Sequence, residues 1–163
     1  MSPSLSDTPA LSRRGVLKIG LCASAFLATA GLGASLSGCS SSIAANGFVT
    51  LRDGDLLFLR ALIPVMLEGA VTTEKMPGAV DGTLKSLDFS LDHLSPEMLK
   101  LTRQLFDVLG MAVTRGPLTG IWGSWENASG AEIRHFLERW ENSALGLLRM
   151  GHNSLLQLVM MAW

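Results

Sequence analysis

Cys39 is the residue with the clearest chemistry in this chain, because its thiol closes the sequence Leu36-Ser37-Gly38-Cys39. Small residues directly before a cysteine, at the end of an apolar stretch, are typical of a bacterial lipoprotein cleavage and acylation site. The thiol would then carry the lipid. A lipoprotein cysteine usually carries three acyl chains, so we expect firm anchoring where a single chain would bind only marginally. The alternative is an ordinary small apolar cysteine at the end of a leader.

Arg13 and Arg14 carry the second chemical signal, in the order S-R-R-x-x-L-K from residue 12 to residue 18. A weakly apolar stretch from Ile19 to Leu36 follows this pair. Together these features predict a twin-arginine export signal, a route that carries folded proteins, often with a cofactor already inserted. The leader therefore indicates a cofactor on this chain or on a partner that travels with it. We favour cleavage before Cys39; the alternative is retention as an anchor, since about 18 apolar residues can span a bilayer.

Removal of a leader of residues 1–38 leaves residues 39–163, a length that suits one domain with a modest core. That part holds 10 Lys and Arg against 13 Asp and Glu, and it offers no basic stripe for nucleic acid. Cys22 and Cys39 are the only cysteines, and both belong to the leader or its cleavage site. No thiol then remains for a disulfide, a thiolate metal site, a cysteine nucleophile or a covalently attached haem.

Histidine is the remaining residue type that commonly ligates metals. His135 and His152 lie 17 residues apart, His93 is more distant still, and no H-x-x-x-H spacing occurs. A pair at that spacing would place two ligands on one face of a helix. We therefore predict no metal site, and we interpret the three histidines as exposed or singly hydrogen-bonded.

Candidate catalytic groups are few. The close carboxylate pairs are Asp53 with Asp55 and Asp88 with Asp92, and we interpret all four as solvated surface because no acid or base partner is evident. The serine in the Gly-Ser-Trp sequence at 123–125 lacks the strand-to-helix context of a nucleophile elbow. No glycine-rich turn after a strand is available for a flavin or nicotinamide. The residues thus predict no catalytic site and no cofactor on this chain.

The first half of the mature chain shows helical spacing after a polar start. Residues 39–54 are interpreted as a lipidated tether, ordered only towards its end. A first helix is predicted from Leu56 to Val71, kinked or divided at Pro64. Residues 72–82 contain Pro and Gly and are predicted to form a loop. For Thr83–Leu94 a helix is favoured over a strand.

The second half begins with Ser95-Pro96-Glu97, which combines an N-cap serine, a proline in the first turn and an acid. We predict a helix from there to about Val113. Residues 116–128 are predicted to form a linker, in which Trp122 and Trp125 either cover the local core or belong to a binding surface. We favour the core.

Ser129-x-x-Glu132 is a capping box that begins the last predicted helix. Its apolar stripe keeps phase to Leu158, about eight turns at 3.6 residues per turn. The small residues Ala144 and Gly151 on that stripe would let another helix approach closely. Residues 55–163 are therefore predicted to form an all-α domain of about four helices with a long C-terminal helix.

The end of the chain, Leu158–Trp163, is apolar and has no polar tail. We expect either a truncated product or an end that is buried against a partner. Since the apolar face extends from Leu155 to Trp163, we expect the domain to be unstable alone.

One stretch of this last segment is similar to a known family. Phe136-Leu137-x-x-Trp140-x-x-Ser143, continuing to Leu147-Leu148-Arg149, resembles the C-terminal helix of small proteins that accompany glucose–methanol–choline oxidoreductases. With the twin-arginine leader, it resembles the small subunit of membrane-bound flavoprotein dehydrogenases of the gluconate 2-dehydrogenase subunit 3 kind. The resemblance covers the leader and the last thirty residues or so.

In those complexes the large subunit carries FAD, and the small subunit carries the export signal and supports assembly. The resemblance therefore implies a flavoprotein dehydrogenase partner that holds the FAD. It also implies a subunit contact at or near Trp140, Ser143 and Arg149. A lipidation site at Cys39 is not a general feature of the family, so this lipid or a cytochrome c subunit would hold the complex at the membrane.

We expect this chain to be lipid-anchored on the periplasmic side of the cell envelope, at the inner or the outer membrane. Its expected role is that of a non-catalytic accessory subunit. The first alternative is a stand-alone envelope lipoprotein with a ligand-binding or structural role. A small enzyme is the third possibility, and the missing catalytic motifs argue most strongly against it.

Overall fold

The computed structural model describes residues 43–163, so the predicted export signal at Arg13 and Arg14 and the predicted lipidation site at Cys39 lie outside the described residues. The described part is all-α, as predicted, and contains no strand. Its six helices are α1 (Asp53–Met66), α2 (Met76–Asp92), α3 (Pro96–Gly110), α4 (Ala112–Thr119), α5 (Gly130–Glu141) and α6 (Gly146–Ala162). A short 3₁₀ turn, Trp125–Asn127, precedes α5.

Helix α1 lies at the centre of the domain and contacts α2, α3, α5, α6 and the 3₁₀ turn. Its buried face includes Phe58 and Leu62, which are fully enclosed. A chain of aromatic contacts starts from Phe58. Its ring centroid lies 5.1 Å from that of Phe106 on α3 and 6.1 Å from that of Trp125 in the 3₁₀ turn. Such edge-to-face and tilted contacts favour one arrangement of the rings and so fix how the helices meet.

Two predicted helix starts are confirmed. The hydroxyl of Ser95 accepts the backbone N–H of Met98 at 3.3 Å, which caps α3. Ser129 and Glu132 form the reciprocal capping box of α5, with the Glu132 carboxylate 2.8 Å from the backbone nitrogen of Ser129. This backbone bond, with a second bond from the Ser129 hydroxyl, lowers the pKa of Glu132. Side-chain caps of this kind satisfy donors that the first helical turn leaves unpaired.

The start of α1 corrects the prediction for this region. The helix begins at Asp53, three residues before the expected start at Leu56, because the carboxylate of Asp55 accepts the backbone N–H of Arg52 and caps the first turn. It ends at Met66, so residues 67–71 lie beyond it. Pro64 does not divide the helix, since it lies in the last turn and only two helical residues follow it.

The predicted loop at 72–82 is wrong from residue 76 onward, where α2 begins. Pro77 lies in the first turn of α2, where a missing N–H costs nothing, so this proline favours a helix start. Val80 and Leu84 then face the core. The two glycines at 78 and 82 lie on the exposed side of the helix.

The predicted helix to Val113 stops at Gly110, and the first residues of the predicted linker at 116–128 belong to helix α4, which runs from Ala112 to Thr119. Met111 separates α3 from α4 with an extended backbone. The hydroxyl of Thr114 donates to the carbonyl of Val108 at 2.7 Å, which holds this turn. Because apolar residues continue across the break, helical periodicity alone does not reveal it.

The two tryptophans of this region differ in their environment. Trp125 covers the core, which is the interpretation that we favoured over a binding surface. Its indole N–H donates to the carbonyl of Leu109 at 2.9 Å. Trp122 is 77% exposed, although one side of its ring rests against Gly116. A β-carbon at residue 116 would lie only 2.5 Å from that ring, so the close approach requires glycine.

The predicted long C-terminal helix is divided into α5 and α6 by a turn at residues 142–145. Asn142 ends α5, and its side-chain amide donates to the carbonyl of Glu138 at 2.9 Å. The hydroxyl of Ser143 then accepts the backbone N–H of Leu145 at 3.1 Å, just before α6 begins. Short polar side chains that bond to nearby backbone in this way compete with helix continuation. Two divided segments therefore make six helices where about four were expected.

Asp88 corrects the interpretation of the carboxylate pairs. It is buried, and its carboxylate accepts the backbone N–H groups of Val49, Thr50 and Leu51, each at 2.8 Å. We call this set of bonds the Asp88 clasp. It holds the end of the segment that we interpreted as a tether against α2, whereas Asp92, one turn later, is exposed as expected.

Asp55 is likewise buried, while Asp53 is exposed. The Asp55 carboxylate lies 2.8 Å from the guanidinium of Arg52, which also lies 2.8 Å from Asp107 on α3. The hydrogen bond to Asp55 raises the pKa of Arg52 despite the opposing effect of burial, and Asp107 adds to the rise. A buried charge is tolerated when it is paired in this way.

None of the helices formed by residues 43–163 is long and apolar enough to cross a membrane.

The Asp88 clasp generates the first prediction. We expect Asp88→Ala to lower the free energy of unfolding by about 3 kcal/mol, because hydrogen bonds to a charged group contribute about 1.5–3 kcal/mol and buried donors are left unpaired. Urea titration followed by circular dichroism measures the change. The matched control is Asp92→Ala on the same helix, expected to change stability by less than about 0.5 kcal/mol. Equal effects of the two substitutions would contradict a structural role for the clasp.

Candidate functional site

Trp140, the first of the three residues that the resemblance places near a partner, is buried inside the domain. Its ring centroid lies 4.9 Å from that of Phe136, in an edge-to-face contact. Its indole N–H donates to the carbonyl of Leu118, near the end of α4, at 2.8 Å. The ring can therefore support a partner contact only through the helices that it holds in place.

Ser143 and Arg149 lie together at the turn between α5 and α6. The guanidinium of Arg149 donates to the backbone carbonyl of Ser143, so the two residues brace the start of α6. Arg149 is exposed and Ser143 is half-buried. The predicted role of both residues in partner binding stays a prediction.

Gly151 joins α6 to this group. A β-carbon at residue 151 would lie 2.6 Å from the ring of Trp140, closer than such atoms approach in folded proteins. The small residue thus admits the indole of α5. A close approach was predicted at this position, but from a separate helix, whereas Trp140 belongs to the same predicted helix and reaches Gly151 only because that helix is divided. Ala144, the other small residue, is exposed in the turn.

The most prominent surface of the domain is formed by exposed apolar side chains on α6. Its members on the outward flanks of the helix, which we call the α6 surface, are Leu147, Met150, Leu156, Met160, Met161 and Trp163. Leu147 is 77% exposed and Met161 is 71% exposed. The inner face of α6, by contrast, is buried and includes Leu155 and Val159. Exposed polar side chains lie among these apolar ones: Asn153, Ser154 and Gln157. Large apolar side chains exposed in a group are typical of an interaction surface.

The histidines occupy different environments. His93 is exposed, as interpreted, and its ring lies 4.3 Å from that of Phe89, with Nδ1 2.8 Å from the Phe89 carbonyl oxygen. His135 is also exposed. His152 is buried on the inner side of α6, where its Nδ1 has no hydrogen-bond partner among the described atoms, so the interpretation is wrong for this residue.

One spacing was missed at the sequence level: Glu132 and His135 have the E-x-x-H arrangement of some metal sites. In the structure the Glu132 carboxylate is engaged by the backbone and hydroxyl of Ser129. Across residues 43–163, no three side chains of ligating type come together in a way that could hold a metal ion.

An open groove runs between α1 and the start of α5. Its first part, of about 410 Å³, has an apolar floor that includes Pro64, Val65 and Ile133. Its second part, of about 370 Å³, shares Pro64 and Val65 and is crossed by an ion pair of 2.7 Å between Glu68 and Arg134. Pockets for small molecules are usually more enclosed and carry several convergent polar groups. This groove is therefore a weaker candidate for function than the α6 surface.

Comparison of the chain with known protein families, with characterised proteins and with solved structures finds no match.

The contact of Trp140 with Gly151 generates the second prediction. We expect Gly151→Ala to destabilise the domain by about 1–2 kcal/mol, because overpacking costs about 1–3 kcal/mol and exceeds the gain of helix propensity. The indole cannot easily move aside, since it is buried and hydrogen-bonded to Leu118. Urea denaturation measures the effect, and Gly146→Ala, where a β-carbon would have ample space, is the matched control. A Gly151→Ala protein at least as stable as the control would refute the tight packing.

Proposed function

We propose that this chain is a non-catalytic small subunit that carries, assembles or anchors a periplasmic flavin-dependent dehydrogenase exported by the twin-arginine route. The observation that carries the proposal is the α6 surface. Leu147 belongs both to this surface and to the stretch that resembles the accessory subunits, and it is strongly exposed. The proposed partner holds the FAD, and this chain supplies the export signal at Arg13 and Arg14.

The chemistry of the α6 surface suits a protein partner. Three of its members, Met150, Met160 and Met161, are methionines, whose flexible side chains adapt to irregular apolar surfaces. Complete burial of one such side chain contributes about 1.5–3 kcal/mol before the entropy cost of association. Several of them together provide a hydrophobic centre, and Arg149 provides a polar edge.

The position of α6 also favours this role. Its inner face packs on α2 and α5, so the helix is held by the domain while its flanks remain outward. Trp140 and Gly151 fix its approach to α5. A partner would therefore meet a preformed surface, which lowers the cost of ordering on binding.

Location at the envelope would follow from lipidation at Cys39, with a cytochrome c subunit as the other means of holding the complex at the membrane. A stand-alone envelope lipoprotein remains the second candidate function. The groove between α1 and α5 favours it, because an apolar floor beside charged residues could receive a ligand.

Co-purification tests the leading proposal. We expect tagged protein from its native membrane to co-isolate a yellow flavoprotein. The double substitution Met150→Glu, Met161→Glu should reduce recovery of that partner at least about 30-fold, since two buried charges cost more than about 2 kcal/mol. Leu101→Glu, at an exposed position on α3, is the control and should retain the partner. Purification of a colourless monomer from the native source would refute the proposal.

Export provides an independent test. Replacing Arg13 and Arg14 by Lys should leave the flavoprotein in the cytoplasm along with this chain, because the partner is proposed to travel on this chain's signal. Dehydrogenase activity measured in periplasmic and cytoplasmic fractions reports the outcome. Lys18→Arg keeps the charge of the leader and the arginine pair, and should leave export unchanged. Normal periplasmic activity in the double-lysine strain would contradict shared export.

A further inference from the structure

A second apolar surface lies where the described chain begins. Ile43 is 74% exposed, Val49 is 69% exposed, and Phe89 on α2 is 67% exposed. We propose that these three side chains, which we call the anchor face, rest on the phospholipid bilayer into which the lipid of Cys39 inserts. The proposal rests on the lipidation of Cys39 and does not depend on a dehydrogenase partner.

The Asp88 clasp brings the anchor face together. The backbone N–H of Val49 donates to the Asp88 carboxylate at 2.8 Å, and Phe89 is the next residue of α2. A further bond of 2.8 Å, from the N–H of Ala45 to the carbonyl of Leu51, folds the segment back on itself. Ile43 lies two residues before that bond and therefore stays near the same part of the surface. A backbone held by buried bonds cannot readily turn these side chains inward.

Chain length ties this surface to the membrane. Ile43 follows Cys39 by four residues, and four residues span at most about 14 Å even when fully extended. An acylated Cys39 lies at the bilayer surface, so the segment around Ile43 is within about that distance of the headgroups. The anchor face is thus the apolar surface with the shortest covalent connection to the lipid.

The surroundings of Phe89 are suited to a headgroup layer. Lys85 lies one turn before Phe89, and His93 lies one turn after it with its ring in tilted contact with that of Phe89. A cation beside an exposed aromatic ring is typical of surfaces that lie in the interface, where the ring meets acyl chains and the cation meets phosphate. Asp92 is exposed beside His93 and opposes this attraction, so apolar contact is the main contribution.

A second contact would change what the lipid anchor does. Acyl chains alone hold a domain near the membrane but leave its orientation free. With Val49 and Phe89 on the bilayer, the Asp88 clasp would transmit a fixed orientation to α2, and through α2 to α6, which packs on it. The anchored domain would then present the rest of its surface in one direction.

Site-specific fluorescence tests the proposal on the acylated mature product in vesicles of phosphatidylethanolamine and phosphatidylglycerol. Cleavage before Cys39 removes Cys22, and acylation occupies Cys39, so an introduced cysteine is the only free thiol. Val49→Cys and Phe89→Cys would each carry an environment-sensitive fluorophore. Ala131→Cys is the matched control, since it is exposed at the start of α5, which lies against Val65 near the end of α1, whereas the clasped segment leads into the beginning of α1, about 20 Å away along that helix. All three positions are exposed, so the labels should not disturb folding.

We expect the labels at residues 49 and 89 to be quenched by a lipid-linked quencher and shielded from aqueous iodide. The label at residue 131 should show the reverse. Iodide access at 49 and 89 equal to that at 131, with acylation of Cys39 verified by mass spectrometry, would overturn the proposal. Shielding from iodide without quenching by lipid would also overturn it, because a protein contact would then cover the face. Unmodified Cys39 would also overturn the proposal, because the proposal rests on that lipid. The proposed function has a separate test, which is co-purification of the flavoprotein.

Discussion

Contact among five rigid aromatic rings is the constraint on which the rest of this domain depends. The rings of Phe106, Phe58, Trp125, Phe136 and Trp140 meet in sequence, mostly edge to face, and join α3, α1, the 3₁₀ turn and α5. Two of these rings are indoles. The indole N–H of Trp125 donates to the carbonyl of Leu109 at the end of α3, and that of Trp140 donates to the carbonyl of Leu118 near the end of α4. Rigid rings with fixed hydrogen bonds tolerate few arrangements, so α6 must approach Trp140 through a glycine.

Two buried carboxylates fasten the segment just before α1 to the helical core. Asp55 pairs with Arg52 and caps α1, and Asp88 receives three consecutive backbone N–H groups that would otherwise be buried without partners. An unpaired buried donor costs more than a typical hydrogen bond contributes, so these carboxylates determine where the segment before α1 can lie. The domain therefore begins before its first helix, and part of the presumed tether belongs to it.

Local chemistry was predictable from the sequence, whereas the breaks between helices were not. Ser95 and the pair Ser129 and Glu132 act within a single turn, and their caps are present as predicted. The breaks at Met111 and Ser143 interrupt apolar stripes that continue on both sides, so periodicity carried no signal of them. Asp88 was misread because its partners lie 37 to 39 residues away in the chain. Likewise, Trp140 was placed near a partner by resemblance alone, and only the packing of α5 against α6 puts its ring inside the domain.

The export route that the leader predicts determines where the α6 surface would first be exposed. A twin-arginine substrate folds before it crosses the membrane, so Leu147, Met150 and Met161 would already be displayed in the cytoplasm. Exposed apolar side chains grouped on one helix favour aggregation unless something covers them. A partner that binds α6 before export would remove that hazard and would secure its own passage in the same step. Folding, partner binding and export would then be linked through one helix, whose position is set by Trp140 and Gly151.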